Sequence, residues 1–333
     1  MANLYLTEQN SILRKSGDRL IVHKEDEVLL DVQCHKIDAV LIFGNVQFTT
    51  QVVHELFEHG IEMAIFSRTG RLKGQLTSPA TKNIMLRVQQ FKKYDDDAFR
   101  LTLSKAFVSG KINNCLILIR LFSYNHPEID FKAQNHDLKA ALANVESADR
   151  LDSLLGLEGA AAKTYFNAFS KMILGEFCFT GREKRPPTDP VNAMLSLSYT
   201  MIFNEISSLL DGLGFDPYLG YFHSIDYGRA SLAADIMEEF RAPIADRLIL
   251  NLVNNQVFKP EDFYANPKNG GVNFKRDALK RYFREYETMV NKEFIHPETQ
   301  QNTTLRKCIR IQAEKLASAV QFNNAYTPFM LAI

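Results

Sequence analysis

Over the first 78 residues the apolar positions fall in short runs. Asn3 to Leu6, Arg19 to His23, Glu27 to Val32 and Ala39 to Phe43 have the length and composition of β-strands. Gly44-Asn45 punctuates the next connection, and the period then changes. Val52, Val53, Leu56 and Phe57 share one face of a helix over Gln51 to His59, with Gly60 as its C-terminal stop. Glu62 to Ser67 and Leu72 to Thr77 read as two more strands, joined by a turn at Arg68-Thr69-Gly70. After Pro79 the helical period takes over. From Asn83 onward it predicts helices over Ala98 to Lys111, Ile112 to Tyr124, Ala160 to Ile173, Val191 to Leu210, from about Ser231, and Asp277 to Val290. His126-Pro127, the group Gly212, Gly214 and Pro217, and the segment 266–271 are breaks. From about Phe294 the pattern weakens, and the last residues are expected to be poorly ordered. The pattern predicts an α+β chain: a small N-terminal β-rich domain (1–78), a linker (79–90) and a larger all-helical domain (91–333).

Composition narrows this picture. A chain of 333 residues with 46% hydrophobic and 23% charged side chains suits about two ordinary globular domains. No apolar run approaches the roughly 20 residues that span a bilayer, and the first residues lack the pattern of a secretory signal. Cys34, Cys115, Cys178 and Cys308 are far apart and form no CxxC pair, which argues against a zinc ribbon or a disulfide framework. They read as reduced thiols of a cytoplasmic protein. The balance of 39 basic and 39 acidic side chains leaves no overall basic surplus, so any nucleic-acid contact must use local patches.

Four ionisable residues interrupt stretches that otherwise read as packed structure. Glu158 lies in Leu157-Glu158-Gly159-Ala160-Ala161-Ala162, at or near a helix start, among small residues that would let backbones approach closely. His223 ends Gly220-Tyr221-Phe222-His223. Asp235 and Glu238 are three apart, hence on one face of a helix for which Ser231 is a plausible N-cap. A turn at Gly228 would bring His223 back beside that helix. Burying such groups costs several kcal/mol unless they are compensated. One imidazole with two or three carboxylates suits Mn²⁺ or Mg²⁺ better than structural zinc. The residues alone leave other readings open: a structural histidine, a solvated acidic pair, and a glutamate favoured by a helix dipole. Spacing does not decide which acid of the pair would bind a cation.

Longer blocks surround these positions: Leu154 to Ala162 followed by Tyr165-Phe166; Arg185-Pro186-Pro187-Thr188-Asp189-Pro190 running on to Tyr199; Gly212 to His223; and Gly228 to Pro243. In this order and spacing, residues 1 to about 292 resemble the CRISPR-associated spacer-acquisition integrases, the universal nuclease-integrase of adaptation. The resemblance implies a β-rich dimerisation domain and a helical catalytic domain. Its metal ligands would be Glu158, His223 and Glu238, with Asp235 as auxiliary. Some members carry Asp where this chain has Glu238, and the segment after 292 holds no diagnostic motif.

The implied activity is metal-dependent DNA strand transfer and cleavage, with Mg²⁺ or Mn²⁺ as cofactor. A 3′-hydroxyl of an incoming duplex attacks a phosphodiester of the CRISPR repeat, and no covalent protein–DNA intermediate is needed. Tyr165 and Tyr199 then read as packing or hydrogen-bonding residues. The implied partners are double-stranded DNA, a second copy of the chain, and a small ferredoxin-like CRISPR-associated protein in a heterohexamer-type complex. Candidate DNA contacts are Lys111 with Arg120, the run Arg182, Lys184 and Arg185, and Arg241 with Arg247. A catalytically silent DNA-binding scaffold for spacer capture and a hydrolase of small phosphoesters are the competing readings.

Overall fold

The computed structural model describes residues 2–68, 70, 72–76, 83–183, 186–267 and 270–331. The chain divides into two compact units, one formed by Met1–Ala80 with Leu279–Glu287, the other by Thr81–Ala278 with Thr288–Ile333.

The first unit holds two four-stranded sheets and one helix. In one sheet β1 (Ala2–Leu6), β5 (Ile37–Phe43) and β7 (Glu62–Phe66) run parallel, and β8 (Leu72–Leu76) pairs antiparallel with β7. In the other, β2 (Ser11–Ser16), β3 (Arg19–Lys24) and β4 (Glu27–Gln33) form an antiparallel meander, and β6 (Val46–Phe48) lies parallel to β2. Helix α1 (Thr50–Glu58) buries Val52 and Leu56 in a core with Leu13, Leu20, Val40, Ile42 and Met63. Gly60, at φ +64°, lets the Ile61 amide reach back to the Leu56 carbonyl and close the helix. Strands β2 and β6 carry no clear sequence signal: the outer half of β2 is the exposed Arg14-Lys15-Ser16, and β6 has three residues. Residues 279–287 complete an aromatic stack in this unit. Tyr5 lies 4.5 Å from Phe283 between ring centroids, and Phe43 lies 4.7 Å from Phe66 and 4.6 Å from Phe283.

The second unit is mainly helical: α2 (Ile84–Tyr94), α3 (Asp97–Asn125), α4 (Lys132–Ser147), α5 (Leu151–Met172), α6 (Pro190–Leu213), α7 (Ser231–Phe240), α8 (Arg247–Asn254), the ends of α9 (Arg276–Asn291) and α10 (Leu305–Phe322). The two apolar segments expected on either side of Lys111 are one helix, α3, opened by Asp96, whose Oδ1 accepts the Phe99 amide at 3.0 Å. By length and composition α3 alone among the described helices is apolar enough to cross a membrane, but Lys111 and Arg120 interrupt it and half of its apolar window is buried inside the protein. It packs on α4, α5 and α7 as the unit's central helix. Asp189 caps α6 through the Asn192 amide at 2.8 Å, Pro190 opens it, and Gly214 ends it at φ +106°.

Two short ribbons interrupt the helical plan: β9 (Phe263–Ala265) with β10 (Val272–Phe274), and β11 (Glu293–Ile295) with β12 (Asn302–Thr304). The break at 266–271 is the connection inside the first of them. The C-terminal stretch, weakly patterned in sequence, is structured as far as residue 331, and the last residues, 332–333, lie outside the described residues. Helix α10 follows the second ribbon, and beyond it Phe329 and Leu331 are buried.

Candidate functional site

Three helices of the second unit and one loop converge on the residues singled out above. Glu158 lies two turns inside α5 rather than at its start, because the helix begins at Leu151. Gly156 and Gly159 do not serve close packing. A Cβ added at either would meet nothing within 4 Å, so the helix face beside Glu158 is bare. Ser231 is the first residue of α7 rather than its cap, and its hydroxyl donates to the Ser224 carbonyl at 2.8 Å.

Asp235 organises the loop that brings His223 back. Its fully buried carboxylate accepts the amides of Tyr221 (2.7 Å), Phe222 (3.1 Å) and His223 (2.9 Å). The imidazole Nδ1 lies 2.7 Å from Asp235 Oδ1. A carboxylate only accepts, so Nδ1 carries a proton there, and Nε2 is the ring nitrogen turned toward Glu238. Gly220 permits the approach: a Cβ on it would sit 2.7 Å from the Ser231 backbone and 2.9 Å from Asp235 Oδ2. Gly228, at φ +73°, makes the return turn.

Glu238, 2% exposed, sits one turn along α7. His223 Nε2 is 3.9 Å from its Oε1, and Arg241 Nη2 is 2.9 Å from the same oxygen. Lys111 Nζ, from the middle of α3, stands 2.7 Å from Glu238 Oε2 and hydrogen-bonds Glu158 Oε1. Burial acts to raise the Glu238 carboxyl, but Arg241, then Lys111 and His223, outweigh it and hold it at about 2. Oε2 is buried and, among the described residues, receives no hydrogen bond, since the Lys111 ammonium approaches it out of line. Lys111 thus links the two carboxylates, and the imidazole Nε2 lies beside the other oxygen of Glu238. Among the described residues no three His, Cys, Asp or Glu side chains form a ready metal cage.

A second buried network backs the first. Asp246 accepts the hydroxyls of Tyr199 (2.6 Å) and Tyr165 (2.7 Å). Burial pushes its carboxyl up to about 6, opposed by those two hydrogen bonds and by Arg241 and Arg182. The guanidiniums of Arg241 and Arg182 lie 4.9 Å and 5.3 Å from the Tyr199 ring centroid. Arg182 is held by neutral acceptors, Asn192 Oδ1 at 2.8 Å and Ser196 Oγ at 3.0 Å. Asp246 was missed in the sequence although it carries the signal that exposed Asp235, an acid in an apolar helical run. That run continues through a π-helical segment, Arg241–Asp246, where Pro243 cannot donate to the regular ladder.

A third network ties the chain's tail to the same helices. The Glu239 carboxylate, fully buried, accepts Tyr326 Oη (2.6 Å), the Phe329 amide (2.7 Å) and Gln312 Nε2 (3.0 Å). Burial raises its carboxyl to about 7 against those hydrogen bonds. Asn114 Nδ2 donates to the carbonyls of Glu239 and Phe329, and its Oδ1 accepts the Leu331 amide.

The basic candidates separate. Lys111 is 9% exposed and internal, whereas Arg120 is exposed. Nine residues along a helix place them on opposite faces, so they form no common patch. Arg182, Arg241 and Arg247 are half-buried. Lys184 and Arg185 lie outside the described residues.

The model of the family CRISPR associated protein Cas1 matches residues 4–288. The CRISPR-associated endonuclease Cas1 3 of Thermus thermophilus is 36% identical over 94% of this chain and 92% of its own length. Among solved structures, a casposase bound to integration product superposes with a TM-score of 0.88 at 22% identity, over 99% of this chain and 93% of that one. A chain of a Cas6-RT-Cas1–Cas2 complex gives 0.83 at 26% identity, over 99% of this chain and 36% of that one. With most of its length matched by the family model and by a close relative, the chain belongs to the Cas1 family.

Proposed function

We propose that the protein is a metal-dependent DNA integrase and endonuclease that inserts new spacers into a CRISPR array by attack of a 3′-hydroxyl on a phosphodiester. One observation carries this reading: Glu158, His223 and Glu238, from separate segments, are brought together, with Lys111 bridging the two carboxylates and His223 Nε2 3.9 Å from Glu238 Oε1. The donor set fits a hard divalent ion, Mg²⁺ or Mn²⁺, because two carboxylates lie with an imidazole whose Nδ1 is taken by Asp235, and Glu238 Oε2, buried, has only the Lys111 ion pair and no hydrogen bond among the described residues. Such an ion, when bound, supplies charge stabilisation at the phosphate and lowers the pKa of the attacking hydroxyl.

The other duties fall to the chain. Asp235 fixes the tautomer and aim of His223 and does not itself reach the substrate. Arg241 and Arg182, braced on Tyr199, present positive charge to a phosphate beside Glu238. The bare face of α5 at Gly156 and Gly159 leaves room for a bulky duplex. Tyr165 and Tyr199 donate to Asp246, which argues against either as a nucleophile. Partners on this reading are double-stranded DNA, a second copy of the chain and the small ferredoxin-like CRISPR-associated protein in a heterohexamer-type assembly. The name of one structural relative, a Cas6-RT-Cas1–Cas2 complex, supports a Cas partner. The chain's four free cysteines accord with a cytoplasmic protein.

The test is an integration assay with supercoiled repeat DNA, the partner protein and a metal series. Glu158→Gln, His223→Ala and Glu238→Gln should each lower strand transfer by at least about 10³-fold while the protein stays folded. Full integration by a well-folded His223→Ala protein would overturn that residue's role. The scaffold reading requires DNA binding with no metal-dependent product, and the intact donor set speaks against it.

A further inference from the structure

We propose that Lys111 is an exchangeable resident cation: its ammonium holds the place between Glu158 and Glu238 in the metal-free protein and leaves when the divalent ion enters. This rests on the metal reading above and adds to it a competition built into the chain.

The charge balance motivates it. Glu158, Glu238 and Asp235 bring three negative charges to the site, and Lys111 and Arg241 bring two positive ones. Counted without the imidazole, a divalent ion added with both cations in place would leave one excess positive charge where Glu238 is 2% and Lys111 9% exposed, and departure of one cationic side chain would restore the balance. Buried charge of one sign is strongly disfavoured. One side chain has to give way.

Geometry selects which. Arg241 is fixed on two sides: its guanidinium lies over the Tyr199 ring at 4.9 Å, and Tyr199 is itself held by Asp246 at 2.6 Å. It meets Glu238 through Oε1 at 2.9 Å, away from the oxygen that Lys111 approaches. Lys111 is held by the two carboxylates alone among the described residues: it hydrogen-bonds Glu158 and stands 2.7 Å from Glu238 Oε2 out of line, with no ring or neutral acceptor behind it. An ammonium on a four-carbon stem swings out more readily than a planar fork stacked on a ring. The open face of α5 beside Glu158 gives it somewhere to go. The position is also specific to a cation. A lysine in the middle of a central core helix is rare unless it is paired, and both of its partners are the carboxylates assigned to the metal.

The experiment is Mn²⁺ binding to the full chain, by calorimetry and by the rise in Tm at saturating metal. Lys111→Met should bind Mn²⁺ at least roughly tenfold more tightly than wild type, about 1.4 kcal/mol. It should also start from a lower metal-free Tm. Lys111→Arg, which keeps the charge in a stiffer side chain, should bind more weakly than wild type. A folded Lys111→Met protein with unchanged or weaker Mn²⁺ affinity overturns the proposal. If Lys111→Met does not fold, the wild-type chain decides: reductive methylation of Lys111, followed by mass spectrometry, should rise on adding Mn²⁺. Undiminished protection at saturating Mn²⁺ overturns the exchange. Absence of Mn²⁺ binding by wild type and both variants would instead sink the metal reading itself, so the two failures are distinguishable.

Discussion

Single residues in this chain are legible when they break a pattern and illegible when they follow a rule of thumb. Glu158, His223, Asp235 and Glu238 stand out as ionisable groups in apolar or small-residue surroundings, and they do converge. Lys111 does not stand out, because lysines are almost always solvated; only the approach of two other helices makes it internal. Asp246 went unnoticed three residues past Pro243, in the π-helical segment that continues the run of α7. Its environment makes a pH prediction. Burial raises the carboxyl from 3.8 to about 6, so the folded state binds a proton more tightly than the unfolded one. Its contribution to stability is therefore fully present below pH 3.8 and is lost as pH rises through about 6. At about 1.4 kcal/mol per pH unit the loss is on the order of 3 kcal/mol. Asp246→Asn should remove it. Urea unfolding at pH 4 and pH 7 should show a smaller fall for the variant than for wild type, and an identical fall would refute the assignment. Raising of Glu239 to about 7 acts in the same direction, so wild type should retain some of the slope in either case.

Among the elements, periodicity found α3, α5, α6, α7 and α9, passed over α4 and α10, and failed at the joins. It split α3 at Lys111-Ile112, where nothing in the chain interrupts the helix, and it began α5 late because Gly156 and Gly159 resemble a break. Strands β6, β9 and β11, three residues each, are shorter than any window that reveals a period of two. The tail was illegible for another reason: its order comes from hydrogen bonds to Glu239 and Asn114, which leave no apolar pattern of their own. Gly110 sharpens this. In an exposed helix Gly→Ala gains about 1 kcal/mol, but here the new Cβ would lie 2.7 Å from Pro328 and 3.3 Å from Glu239. Gly110→Ala should therefore destabilise the second unit by about 1–3 kcal/mol and expose the chain after Phe322 to protease. A gain in stability with the tail still protected would mean that the tail yields at no cost.

For the whole molecule, the change of period near residue 80 announced a strand-rich part followed by a mostly helical one, and that succession is present. What no local pattern could announce is that residues 279–287 belong with the strands. Helix α9 looks like any amphipathic helix, and its contacts reveal where it packs: Phe283 stacked on Tyr5 and near Phe43, with Glu287 accepting the Tyr5 hydroxyl. Phe283→Ala should loosen the first unit selectively. We expect hydrogen exchange to accelerate in β1, β5 and β7, with a cost of about 3–5 kcal/mol, while α3 and α6 stay protected. Uniform acceleration across both units would contradict this.

That long-range closure also has a timetable. The first 80 residues leave the ribosome about 200 residues ahead of the helix that completes their aromatic stack. At about 5–20 residues per second, the interval is roughly 10–40 s. Throughout it the nascent sheet carries Tyr5 and Phe43 without their last partner, so the growing chain, and not the finished protein, is where this fold is most open to chaperones and to mispairing.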